Sequence, residues 1–242
     1  MLTLADRLLT LLIVIGLPLR AWYGMQRLNA APASELASLR PRLWARAILS
    51  QWLLVAIVVA LWIATHRSFM TLGLSLRPTG GLAGVMVGLV TIAIIVLRQR
   101  GAVDTDETLR QRIRDRLAPV ERLMPRRTSD FRLFTALACT AGLCEEFLFR
   151  GYLAWVAGQL LPFPVAPAAQ ALVFGLCHAY QGWRGVVMTT FAGAFLTLVV
   201  LVTGSLWPSI VIHALMDLHA GDLARRVFSS DAPGPSSTGS IA

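Results

Sequence analysis

The chain has 242 residues, 56% of them hydrophobic and only 14% charged, with a mean hydropathy of +0.65. That balance excludes an ordinary soluble domain, in which about a quarter of the residues are charged, and it points to an integral membrane protein. All 22 basic residues are arginine and outnumber 13 acids, for a net charge of +9; they flank apolar runs without interleaved stacking aromatics, so they read as basic cytoplasmic loops and not as a nucleic-acid surface.

A membrane span needs about 17–25 mainly apolar residues. The first candidate, Leu8 to Trp22, is short. No clear small-residue cleavage site follows it, so it reads as a span or an anchor. The second runs from Leu43 to Thr65, with Trp44, Trp52 and Trp62 as candidate interface residues. The third runs from Gly81 to Leu97, where Gly84 and Gly88 stand four apart, a spacing that suits close helix packing. Arg98 to Asp130 is polar, with nine arginines and six acids. Inside it, Leu109, Ile113, Leu117 and Val120 predict an amphipathic helix over Glu107–Leu123. This helix is expected to be solvated and cytoplasmic; lying on anionic headgroups is the alternative.

The fourth span is expected over Phe131–Leu161 and the fifth over Val165–Tyr180, entered through Pro162, Pro164 and Pro167. The sixth covers Gly185–Thr203 and the last Leu206–Val227. The fold class is an all-α polytopic transmembrane bundle of about seven spans, with six to eight as the range. Residues 1–130 form N-terminal spans with basic linkers and 131–228 a core; 229–242, rich in Ser, Pro and Gly, predicts a disordered tail. The basic linkers Arg20–Arg46 and Arg98–Arg132, with Arg184 and the Arg225–Arg226 pair, fall on one side of the membrane if the N-terminus is outside and the C-terminus cytoplasmic.

The sequence "CEEFLFRGYL", residues 144–153, places three charges inside an apolar run. Each would cost about 2.5–3.5 kcal/mol at the bilayer centre. On a helix Glu146 and Arg150 are i and i+4, in the favourable order, and neutralise each other. Glu145 points about 100° away and keeps no such partner. A carboxylate withdrawn from water can serve as a general base near neutral pH. The alternative is that both glutamates only bind helices together. Two more spans supply histidines: "FGLCH" places His178 four residues after Phe174, and "SIVIHALMDL" places Asp217 four residues after His213. Three spans separately offering ionisable groups predict one shared site. His66 and His219, at span ends, carry no such pattern. Cys139, Cys144 and Cys177 form no CxxC pair and read as packing residues; neither Cys144 nor Cys177 has a neighbour arranged as a base.

"EEFLFRG", "FGLCH" and "GSLWPSIVIHALMDL" resemble the three motifs of the CAAX protease and bacteriocin-processing (CPBP) family. Its members include the type II CAAX prenyl endopeptidases and Abi-type bacterial intramembrane proteases. The motifs occur in order over residues 145–217, and it is their combination that is specific. The resemblance implies an intramembrane endopeptidase in which Glu145 is the general base and His178 helps to bind the attacked water. Glu146, Arg150 and Phe174 would support the site. His213 and Asp217 match the third motif, which in the prenyl endopeptidases usually ends in an asparagine that stabilises the oxyanion. An ionised Asp217 cannot donate a hydrogen bond, so its expected role is to orient His213 and favour its protonated, donating form.

The same residues permit a catalytic zinc, held by Glu145, His178 and His213 with Asp217 behind His213. No HExxH is present, and the ligands would come from three separate spans; no cofactor is favoured. The expected partners are membrane lipid and a peptide or protein substrate, prenylated in some family members, and no nucleic acid. The expected location is a bacterial inner (plasma) membrane. A non-catalytic scaffold or immunity protein of the same family is the competing reading.

Overall fold

In lipid every backbone N–H and C=O must be satisfied within the protein, so an apolar chain without barrel strands folds as helices. The computed structural model describes residues 2–75 and 81–228, and among them there is no strand. Helix α1 (Leu4–Leu11) continues through a π-helical turn (Leu12–Gly16) into α2 (Leu17–Ala30). Together they make one 27-residue apolar stretch, longer than the run the sequence predicted. Pro18, the second residue of α2, does not end it. It stands in the first turn of α2, one residue past the π-helical turn, where a helix tolerates a residue without an N–H.

Helix α3 (Ala33–Ala64) is followed by a short 3-10 turn at Phe69–Leu72, then α4 (Leu82–Thr105) and α5 (Glu107–Leu117). Helix α6 (Thr128–Glu146) runs into a second π-helical segment (Phe147–Leu153) and α7 (Ala154–Leu160). The last described elements are α8 (Val165–Cys177), α9 (Gly182–Thr203) and α10 (Trp207–Phe228). Among the described residues four stretches are long and apolar enough to cross a membrane: Leu4–Ala30, Ala33–Ala64, Ala83–Thr105 and Ala179–Thr203. Their outer faces expose Leu8, Ile15, Leu49, Leu53, Ile94, Phe191 and Leu198. An apolar surface of that kind marks an integral membrane protein.

Helix α6 lies between α3 and α10. A Cβ on Gly142 would stand 2.9 Å from both the Ala214 Cβ and the Ile210 carbonyl oxygen, so the α6 and α10 backbones nearly touch there. The main core joins Val58 and Trp62 of α3, Phe147, Leu148, Phe149 and Tyr152 of the second π-helical segment, and Phe174 of α8. Cys144 and Cys177 are free thiols packed in this core. At its edge Asp6 is fully buried. Arg67 donates to both its carboxylate oxygens at 2.8 and 2.7 Å, and the Tyr152 hydroxyl donates to its backbone carbonyl at 3.1 Å. The Arg67 guanidinium also stacks on Trp62 and Trp155.

Several expectations are corrected. Trp44 and Trp62 are not interface residues but buried ones, their indole N–H groups bound to the Leu123 and Ser68 carbonyls at 3.1 and 3.0 Å. Only Trp52 of the three is exposed. The amphipathic segment has its apolar face covered by the protein itself: Leu109, Ile113 and Leu117 pack on Leu223, Ala224, Val227 and Phe228 of α10. It is capped by Asp106, which accepts from the Leu109 N–H at 3.0 Å, and its α-helical part stops at Leu117, just before Pro119, beyond which 118–123 is 3-10 helix. Among the described residues no atom lies within 4 Å of a Cβ added to Gly84 or Gly88, so no close helix packing is seen there. The expected tail over 229–242 lies outside the described residues.

Candidate active site

Glu145 and Glu146 close α6 at the point where the helix changes to π spacing. Glu146 is fully buried, and Arg150 donates to its Oε1 at 2.8 Å. The other arm of Arg150 donates to the Gly193 carbonyl at 3.0 Å, and its guanidinium lies 4.1 Å from the Phe174 ring centroid. A Cβ at Gly193 would come within 2.9 Å of the Phe174 ring and 3.1 Å of Arg150, so only a bare backbone allows this approach of α9. Phe174 thus supports the ion pair through its ring.

His213 joins the same carboxylate. Its Nδ1 lies 2.8 Å from Glu146 Oε1. An ionised carboxylate only accepts, so Nδ1 carries the proton and donates. Asp217 stands 3.9 Å from His213 Nε2, beyond hydrogen-bond distance, with its side chain 41% exposed. The hydrogen bond that holds the His213 ring is thus the one to Glu146, with Asp217 at ion-pair distance from the opposite nitrogen. The close α6–α10 approach at Gly142 turns one ring nitrogen toward α6. Asp217, one turn further along α10, leans back toward the opposite nitrogen.

His178 is placed by the end of a helix. Helix α8 stops at Cys177, and its last carbonyls have no intrahelical partner. The His178 Nδ1 donates to one of them, Phe174 O, at 2.8 Å. That bond gives the four-residue spacing its physical meaning, and it leaves the Nε2 of the neutral ring with a free lone pair.

Glu145 meets both rings. Its Oε2 is 4.0 Å from His178 Nε2 and 4.0 Å from His213 Nε2. Its other oxygen, Oε1, accepts a 2.9 Å bond from Gln51 Nε2 of α3. The Glu145 side chain is 17% exposed, so the group is reachable. Glu145, Glu146, Arg150, Phe174, His178 and His213 thus form one constellation, with Asp217 at its rim. Gln51 was missed by sequence reasoning; its only signal was a lone amide in an otherwise apolar run.

The protonation pattern of the two rings suits a metal ligand set, but the spacing does not. Ligands at about 2.0–2.1 Å around a tetrahedral ion stand about 3.3 Å apart, well inside the 4.0 Å observed. Among the described residues no group of three or more His, Cys, Asp or Glu side chains is arranged to hold a metal ion.

Residues 127–219 match the family described as type II CAAX prenyl endopeptidase Rce1-like. The match covers less than half of the 242-residue chain, so it is a similarity of this segment. The Rce1-like segment holds every residue of the constellation except Gln51, which α3 supplies from outside it. The family that this segment is similar to is one of CAAX-type intramembrane proteases. No curated protein and no solved structure matches the chain.

Proposed function

We propose that the protein is a glutamate-dependent intramembrane endopeptidase in which Glu145 and His178 activate water. The observation that carries this reading is the pair of 4.0 Å gaps from Glu145 Oε2 to the two histidine Nε2 atoms. A water making hydrogen bonds of about 2.8 Å bridges such a gap with an angle near about 90°. Glu145 Oε2 takes one proton from that water, and His178 Nε2 accepts the second hydrogen as a bond and holds the oxygen in line. The hydroxide forms a C–O bond to the scissile carbonyl carbon. His213, in its doubly protonated form, donates from Nε2 to the developing oxyanion while Glu146 keeps the ring in place. When the C–N bond breaks, Glu145 returns its proton to the leaving amine. Asp217 flanks the oxyanion position without hydrogen-bonding to His213.

The family supports a membrane-associated peptide or protein as substrate. A prenylated end on that substrate, presentation at a cytoplasmic face and a bacterial plasma-membrane location are parts of the same proposal. The test is cleavage of a quenched fluorescent peptide carrying a prenylated CAAX end, by purified wild-type and Glu145→Gln protein in detergent. Loss of Glu145 should lower turnover by about 10²–10⁴-fold without loss of thermal stability. Near-wild-type turnover by Glu145→Gln would sink the mechanism and favour the scaffold reading.

A further inference from the structure

The geometry points to Gln51 of α3 as a positioning residue for the general base, an inference that rests on Glu145 being that base. An amide inside an apolar helix is costly to bury and is retained where it bonds to something. Gln51 has one hydrogen bond, from Nε2 to Glu145 Oε1 at 2.9 Å. Its own Oε1 is buried with no partner. An amide kept only to tie helices together would satisfy both ends; this one satisfies only the end that faces the carboxylate.

The consequence concerns which oxygen reacts. The terminal torsion of a glutamate is broad and roughly two-fold, so an unanchored carboxylate can present either oxygen or turn edge-on. The donor from Gln51 ties down Oε1 and fixes the plane of the group. Oε2 is then the oxygen that faces both histidine rings, at 4.0 Å from each. Oε1 remains an acceptor after Oε2 has taken a proton from water, so the Gln51 bond can persist through the whole cycle. The site therefore needs a helix that lies outside the Rce1-like segment of 127–219.

The test is steady-state cleavage of the prenylated fluorescent peptide by wild-type, Gln51→Leu, Gln51→Met and Glu145→Gln proteins, with thermal stability measured on each. Leu suits the apolar helix and Met keeps the length; neither can donate. Both should lower kcat by about 10–100-fold, the range for losing a partner that orients a catalytic group. KM should stay within about twofold, and the unfolding temperature should stay unchanged. Wild-type kcat in both Gln51 variants, beside an inactive Glu145→Gln protein, would overturn the role of Gln51 and leave Glu145 standing. Wild-type kcat in Glu145→Gln would instead overturn the base assignment itself. A rise in KM at constant kcat, or an activity loss that tracks lost stability, would make Gln51 a substrate contact or a packing residue and would also overturn the inference.

Discussion

Replacing Glu146 by glutamine removes a charge without changing shape, and the surroundings of that charge set the cost. Glu146 Oε1 accepts from Arg150 and from His213, each at 2.8 Å, and both partners are buried. Hydrogen bonds to charged groups contribute about 1.5–3 kcal/mol each and neutral ones about 1, so two bonds weakened on Oε1 cost about 2 kcal/mol. Glu146 Oε2 is buried without a partner, so the amide NH₂ placed there finds no acceptor and adds a further penalty. Arg150 loses its counter-charge in the interior. Breaking a buried pair on one side costs about 3–5 kcal/mol in all. For a chain of this size about 1 kcal/mol shifts the unfolding temperature by about 2–4 °C, so Glu146→Gln should unfold about 6–20 °C below wild type in the same detergent. Adding Arg150→Met should recover part of that loss, because the orphaned charge goes with it. An unfolding temperature within about 2 °C of wild type, together with abolished cleavage, would refute the reasoning. Glu146 would then be a chemical group and not a structural one.

Asp217→Asn should keep turnover within about tenfold of wild type, because Asp217 makes no hydrogen bond to His213 and an asparagine amide can donate to an oxyanion. A loss beyond about a hundredfold would restore Asp217 as the residue that orients His213. Chelation with EDTA or phenanthroline followed by dialysis should leave cleavage of the prenylated peptide unchanged; loss that Zn²⁺ restores would show a metal at Glu145, His178 and His213.

The parts of the site legible in the sequence are the local ones. Glu146 and Arg150 stand four residues apart, so helical spacing alone pairs them. Phe174 and His178 share that spacing, but its meaning depends on where α8 ends: the bond runs to a carbonyl left free by termination, not to the phenylalanine ring. The remaining bonds cross the fold. His213 reaches Glu146 over 67 positions and Gln51 reaches Glu145 over 94, and no periodicity encodes either. Asp217 stands within ion-pair distance of His213 Nε2, as the spacing along α10 suggests, but the hydrogen bond from Nδ1 goes to Glu146 on α6, which that spacing does not encode. Helix identity was readable from apolar length. The fate of Trp44 and Trp62 was not, because hydropathy cannot separate a lipid-facing indole from one that bonds a loop carbonyl inside the core.

The π-helical segment after Glu146 makes chain length itself a specification. All seven residues from Phe147 to Leu153 are buried, so the segment has no indifferent face on which an error could be absorbed. Its wider winding accommodates one more residue than α-helical spacing would. Deleting a single residue there would let the segment close to α spacing, so α7 would keep its face while the side chains inside the segment lost theirs. Tyr152 would swing away from Asp6, and Arg150 would turn off the Phe174 ring. A substitution in this stretch alters one contact, whereas an insertion or deletion re-aims a whole face; the segment should accept changes of identity long before it accepts a change in its number of residues.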